Sequence, residues 1–236
     1  VLETLADGPR ARRDLHEETG ISQPTLGRVL GPFQDRNWVT RRGQEYALTT
    51  WGELLVADFD RLVGTVETVQ RLGEVAAYLP TDEMDFDPRT LREATVTLPT
   101  SGDSFAHVRR VEELLYSADE VRNLAPTVAP GSLDDYQRRM TEFLAGDQQV
   151  EAIVTTGVLA AMSHETVAPL MQEGLVECDR VEMYLYEGAA PWLLGVADGV
   201  AMIVPLDEDN APVGLVETEN ETIRSWVHAR LDEYVA

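Results

Sequence analysis

Lysine is absent from this chain. All 19 basic residues are arginine, against 42 aspartates and glutamates and a net charge of −23. No phosphate-loop lysine, Schiff base or lysine general base can therefore exist. A single cysteine, Cys178, excludes an internal disulfide and a cysteine-based metal site, and fits a reducing cytoplasm. No apolar run approaches the ~20 residues of a membrane span, and no basic-then-apolar signal segment opens the chain. A cytoplasmic protein with no membrane partner is expected. The opening VLETLADG already has a helical pattern, so the natural chain is expected to start before Val1.

An acidic surface without lysine repels itself unless salt screens it. At molar salt the Debye length falls to about 3 Å, and the composition reads as that of a protein from a salt-in halophile. The charge is uneven. Residues 1–50 carry seven arginines and seven carboxylates, whereas residues 51–236 carry 12 arginines and 35 carboxylates. Only the opening stretch is not dominated by negative charge, as a surface meeting nucleic acid requires.

That stretch has an ordered pattern. A helix over 1–6 stops at Asp7-Gly8-Pro9, a second helix covers 10–18 with Leu15 inward, and Thr19-Gly20 is a tight turn. Ser22 suits an N-cap and Pro24 the first turn. Leu26, Val29, Leu30 and Phe33 then form one apolar face, with Gln23, Thr25 and Arg28 on the other. Pro32 is expected to kink or end this helix early, because it clashes with the Arg28 carbonyl. A β-hairpin with arginine at its tip follows, turning near Gly43. This is the element order of a winged helix-turn-helix. Docked in a major groove, its second helix would aim Arg28 at guanine and Gln23 at adenine. Ser22 and Thr25 would reach phosphates or bases, Arg41 and Arg42 would ride on the wing, and Arg10, Arg12 and Arg13 would meet flanking phosphates.

Thr50 and Glu53 read as a capping box. From there Leu55, Phe59, Leu62, Val66, Val69, Gly73 and Ala76 alternate four and three residues apart, a heptad seam. A long helix joining two domains with such a seam points to a homodimer contact, carried by Leu55, Phe59, Leu62, Val66 and Val69. An acidic linker, TDEMDFDP, precedes a second domain in which strands and helices alternate. Strands are expected over 94–98, 121–128, 150–155, 181–186, 192–196, 200–206 and 213–217, and helices over 105–117, 133–144, 158–172 and 220–235. Asp198-Gly199 marks a tight hairpin. The sheet would be parallel at first and antiparallel at its edge.

No catalytic or metal set assembles. His16, His107, His164 and His228 are scattered, no GxSxG occurs, and Asp207-Glu208-Asp209 reads as an acidic loop. Met162, Met171, Met183 and Met202 read as core. No cofactor is indicated. A small-molecule effector would sit at the carboxyl ends of the strands, among Thr97, Thr100, Ser101, Thr155 and Thr156, with His107 and Arg110 from the following helix. Thr155-Thr156-Gly157 leads into a helix N-terminus, which favours an anion.

These residues resemble a known group. GISQPTLGRVLGPFQDRNWVTRRGQEYALTTWG is similar to the winged helix of archaeal MarR-like and TrmB-like regulators. ATVTLPTSGDSFAHVRRVEELLYSADEVRNLAPTV, VEMYLYEGAAPWLLGVADGVAMIVPLD and SWVHARLDEYV resemble the C-terminal domain of archaeal regulators of the methanogenesis regulatory protein type. The resemblance implies a haloarchaeal transcription factor, with a DNA-reading domain and a sensing or oligomerising one. It also implies kinship of the second domain to a phospholipase-D-like half, and the HxK motif of that hydrolysis is absent here.

The expected fold is α+β, with a winged helix-turn-helix over 1–51, a long linker helix and acidic linker over 52–88, and an α/β domain with a mixed sheet over 89–236. The expected function is that of a non-enzymatic, sequence-specific regulator binding double-stranded DNA as a homodimer. The alternative is a protein-binding adaptor that uses the winged helix without DNA readout.

Overall fold

A computed structural model describes residues 1–127, 146–161 and 179–235, and divides into two compact units, Val1–Val66 and Glu67–Ala236. The helix expected over 133–144, the later part of the 158–172 helix, and Met162, His164, Met171 and Cys178 lie outside the described residues.

The first unit opens with α1 (Leu2–Ala6), β1 (Arg10–Ala11), α2 (Arg12–Thr19) and α3 (Gln23–Asp35). The hairpin β2 (Val39–Arg42) and β3 (Glu45–Leu48) follows. Arg10 is in a strand and not in the helix expected there. It pairs with Tyr46, completing a three-stranded sheet in the order β1-β3-β2. Leu5, Leu15, Leu26, Leu30, Val39 and Tyr46 form the buried core. The apolar face read from the sequence thus closes on itself.

Pro32 does not end α3. It stands in the last turn, where it removes only the one bond that an N–H there would give to the Arg28 carbonyl, and the helix reaches Asp35. The stop comes from Asn37, whose φ of 58° is left-handed. Its N–H donates to the Gln34 carbonyl and that of Trp38 to Phe33. This is the hydrogen-bond pair of a Schellman cap, and Phe33 and Trp38 supply its apolar contact at 5.6 Å between ring centroids.

The long helix α4 spans Thr50–Leu72, but Thr49 caps it rather than the expected Thr50. The Thr49 hydroxyl accepts from the Gly52 N–H at 3.1 Å and donates to the Asn37 carbonyl at 2.5 Å. The cap therefore also ties α4 to the start of the hairpin. At Gly73 the backbone turns left-handed, with φ 56°, and a 3₁₀ turn, Gly73–Ala77, follows. The seam stops at Val69, while Gly73 and Ala76 fall outside α4, Ala76 packing against the core of the second unit.

The second unit is a seven-stranded mixed sheet. Its strands are β4 (Thr95–Thr97), β5 (Glu120–Ala125), β6 (Gln149–Thr155), β7 (Val181–Tyr186), β8 (Trp192–Ala197), β9 (Val200–Pro205) and β10 (Leu215–Thr218), in the order β4-β10-β9-β8-β5-β6-β7. The β5, β6 and β7 trio is parallel and the other pairings are antiparallel. Asp198 and Gly199 both have positive φ, 46° and 83°, as a type I′ turn demands. The helices are α5 (Ala106–Ser117), the short α6 (Thr156–Ala161) and the closing α7 (Glu221–Val235). From α7, Ile223, Trp226, Val227 and Leu231 pack on one core with Trp192, Leu194 and Ile203. Trp226 meets the Trp192 and Phe86 rings edge-on. Val111 belongs to a second core with Val121, Met202, Val204 and Leu215. Met183, expected inside, is half exposed.

Candidate nucleic-acid interface

The turn between α2 and α3 is built by reciprocal hydrogen bonds. The Arg12 guanidinium donates to the Gln23 carbonyl, and the Gln23 carboxamide donates to the Arg12 carbonyl at 3.1 Å. Gly27 makes room for this arrangement, since a Cβ there would lie 2.6 Å from Arg12 Nη2. Arg12 and Gln23, read from the sequence as phosphate and adenine contacts, hold the two helices together instead. Gly20, in the left-handed region at φ 69°, closes α2.

Ser22 occupies the N-cap position of α3, but its side chain does not cap. Its hydroxyl lies 2.9 Å from that of Thr25. Thr25 and Arg28 are three residues apart and share a side of the helix, away from the buried Leu26 and Leu30. Arg28 is exposed and makes no hydrogen bond or ion pair among the described residues.

On the wing, Arg41 donates to the Gly43 carbonyl at 3.0 Å and to Gln44 Oε1 at 3.3 Å, and its guanidinium lies 5.6 Å from the Tyr46 ring centroid. Arg42, at the tip beside Gly43, is exposed and has no partner among the described residues. Arg10 is held by Glu18 and Arg13 by Glu17, each at 3.0 Å. Of the seven predicted arginine and glutamine contacts, Arg28 and Arg42 are free among the described residues, Arg10, Arg13 and Arg41 are held by exposed partners they could exchange, and Arg12 and Gln23 are locked. Sequence reading missed the structural use of Arg12, because spacing does not show which carbonyl a long side chain reaches.

The seam residues are exposed on α4: Phe59 is 52 %, Leu62 60 % and Val69 56 % accessible, with Leu55 and Val66 also open. Val56, beside them in sequence, is buried. An apolar stripe of this length facing water is uncommon on a helix of a monomer.

The predicted effector residues do not converge. Thr97, Thr100, Ser101, His107 and Arg110 stand at the β4 edge, while Thr155 ends β6 and Thr156 follows it, with β10, β9, β8 and β5 between the two groups. Five strand spacings of ~4.8 Å separate the two groups. The antiparallel hairpin strands inserted in the middle of the sheet cause this separation. Several of these residues have structural partners. Arg110 grips Glu217 through three hydrogen bonds, at 2.9, 3.0 and 3.3 Å. The Thr155 hydroxyl accepts from the Val158 N–H at 3.3 Å, as the cap of α6. His107 is buried, with Nε2 3.1 Å from the Pro212 carbonyl and Nδ1 without a partner among the described residues. Burial lowers its pKa, and the Pro212 carbonyl opposes that only in part. No group of three or more histidine, cysteine or carboxylate side chains suited to a metal occurs among the described residues, and no helix there is long and apolar enough to cross a membrane.

Helix, turn, exposed helix and arginine-tipped hairpin, followed in the chain by a mixed-sheet domain, make an α+β fold with a small N-terminal unit. The chain belongs to the family of the methanogenesis regulatory protein FilR1, whose middle-domain model matches residues 104–236. The model of the HVO_A0261 N-terminal domain matches residues 1–71. No curated protein matches the chain in sequence. Among solved structures, TrmBL2, an archaeal chromatin protein, aligns at 12% identity over 99% of this chain and 89% of its own, with a TM-score of 0.42. RosA from Streptomyces davawensis, a riboflavin-derivative dimethyltransferase, aligns at 16% identity over 79% and 59%, with a TM-score of 0.22. At these scores neither likeness bears on the function of this chain.

Proposed function

We propose that this protein is a transcriptional regulator that reads double-stranded DNA in a sequence-specific way, as a homodimer in a high-salt cytoplasm, with a regulatory second domain. The observation that carries the reading is Arg28, an unpaired guanidinium on the open side of α3, inside the one charge-balanced stretch of a very acidic chain. Ser22 and Thr25 lie toward the amino end of the same helix, and Arg42 stands free on the wing. Family membership supports the regulatory part. The exposed seam on α4 supports the dimer, with half-sites about one helical turn of DNA apart. In this reading residues 1–51 are the reader, 52–88 the linker and 89–236 the regulatory domain.

High salt removes much of the counterion release that usually drives binding. Base contacts and the avidity of two linked readers must then contribute more. The test is enrichment of genomic DNA fragments in molar KCl by wild-type protein beside the Arg28→Ala, Arg41→Ala, Arg42→Ala triple variant. Selective enrichment that disappears in the variant supports the regulator. Equal recovery by both proteins, or none by the wild type at any salt, favours the protein-binding adaptor.

A further inference from the structure

The second unit holds a groove of about 520 Å³ at the amino-terminal ends of β5, β6 and β7, the end opposite to the one where an effector was expected. This volume is in the range of small-molecule sites. Strand register sets Arg122, Glu151 and Glu182 side by side across the parallel trio. Arg122 is fully engaged: it donates to Glu151 and Asp232, each at 2.6 Å, and to the His228 carbonyl at 3.2 Å. The Glu182 carboxylate, two residues away on β7, raises the pKa of the Tyr184 phenol.

Across the groove stand Arg224 and His228, four residues apart and so on one side of α7. Neither side chain has a hydrogen bond or ion pair among the described residues. An arginine lining a groove without a carboxylate is unexpected in a chain with 42 carboxylates and 19 arginines. Arg28, Arg42 and Arg71 also lack a hydrogen bond or ion pair among the described residues. The Asp198-Gly199 turn closes on Arg224, since a Cβ at Gly199 would stand 3.4 Å from its Nη1. Asp198 is occupied as a cap for the Asp119 and Glu120 N–H groups. His228 is kept neutral by burial and by the positive charge of Arg122, so its imidazole can accept as well as donate.

A simple anion would face the carboxylates of Glu120, Glu151 and Glu182, and a simple cation would face Arg224 and Arg180. A molecule with both charges satisfies both sides. A carboxylate can fork onto a guanidinium through two hydrogen bonds, and an ammonium suits the acidic strand ends. We propose that this groove binds a small zwitterion of the amino-acid class, its carboxylate on Arg224 beside His228 and its ammonium toward Glu182 and Glu120. The proposal gives a ligand class to the regulatory domain of the reading above, and rests on that reading for its purpose but not for its chemistry.

The test is titration calorimetry of the full chain against each proteinogenic L-amino acid. The best binder is compared with its decarboxylated amine and its N-acetylated form, and with the Arg224→Gln and Glu182→Gln variants. At least one amino acid should bind with a millimolar or tighter Kd. Both truncated ligands and both variants should lose about tenfold or more, with circular dichroism unchanged. The proposal is overturned if no amino acid binds, if either truncated ligand binds as well, or if Arg224→Gln leaves binding intact. DNA enrichment on the same preparations separates the two failures: protein that retains its operator but takes no amino acid sinks the groove alone.

Discussion

Arg12 and Gln23 hold each other's backbone. Each side chain donates to the other residue's carbonyl, across the turn that sets α3 on α2. The guanidinium is committed here through its bond to the Gln23 carbonyl, while Arg12 Nε is buried without a partner among the described residues. Arg12→Ala should destabilise the first unit by about 1–3 kcal/mol, the range for a charged hydrogen bond removed with its acceptor left behind. Gln23→Ala should cost about 1 kcal/mol. Hydrogen exchange of the α2 and α3 amides in the full chain, followed across a urea series, measures both. A Gln23→Ala protein of wild-type stability with altered base preference would restore the adenine-reading role.

Arg28 and Arg42 should act differently on DNA. Arg28→Ala should cost about 1–3 kcal/mol on the preferred operator and relax specificity at one base position. Arg42→Ala should weaken all sequences alike and reduce the salt slope. Both side chains are exposed, so stability should change by less than about 0.5 kcal/mol. Fluorescence anisotropy on an operator and a scrambled duplex, at several KCl concentrations, separates the two behaviours.

Gly52 is fixed by contact. A Cβ on it would stand 2.0 Å from the Trp38 carbonyl oxygen, which is backbone that cannot step aside. Gly52→Ala should therefore destabilise well beyond helix propensity, by about 3 kcal/mol or more. Gly31 sits in α3 with no atom within 4 Å of its Cβ position. Gly31→Ala should change stability by less than about 1 kcal/mol, because the gain in helix propensity is offset by the crowding of a Cβ against the Pro32 ring that follows. Thermal melts should show a large drop for Gly52→Ala and a small change for Gly31→Ala.

Such contacts mark where sequence reading stops. Periodicity found α3, α4, α5, α7 and the strands of the second unit, because burial of one face follows directly from spacing. The type I′ turn was legible in Asp198-Gly199. Thr49, one residue before the expected cap, was not, since either threonine satisfies the pattern and only the approach of the Asn37 carbonyl decides. That Arg28, Arg41 and Arg42 are exposed was legible, but the commitment of Arg12 to Gln23 was not. The split of Thr97 from Thr155 is a matter of strand order, which local patterns do not encode. The groove at Arg224 joins residues more than 100 positions apart, Arg122 to Arg224, and no motif announces it.

The seam gives a prediction about assembly. Leu62→Glu places a charge in the middle of an apolar stripe that is 60 % accessible at that residue. If a second copy covers the stripe, sedimentation should shift from dimer to monomer with helicity retained. Val56→Glu, by contrast, buries a charge in the first unit and should unfold it. A Leu62→Glu protein that sediments as the wild type does would remove α4 from the interface.

His107 ties stability to pH. Its Nε2 proton is directed at the Pro212 carbonyl, so protonation would place a second N–H, at Nδ1, where nothing accepts it. Its folded pKa is lowered by burial. The unfolded chain therefore takes up this proton first, and stability falls as pH drops below the unfolded value of about 6.5. The loss continues until the folded pKa is reached and is absent above neutrality. His228, also lowered, adds a loss of the same sign. Asp103 contributes separately and lower: its hydrogen bond to Arg109 depresses its pKa, so its stabilisation disappears only below the carboxylate range. Urea midpoints measured between pH 7.5 and 5 should decline, and His107→Gln should flatten the decline. An unchanged slope in that variant would assign the whole effect to His228 and the carboxylates.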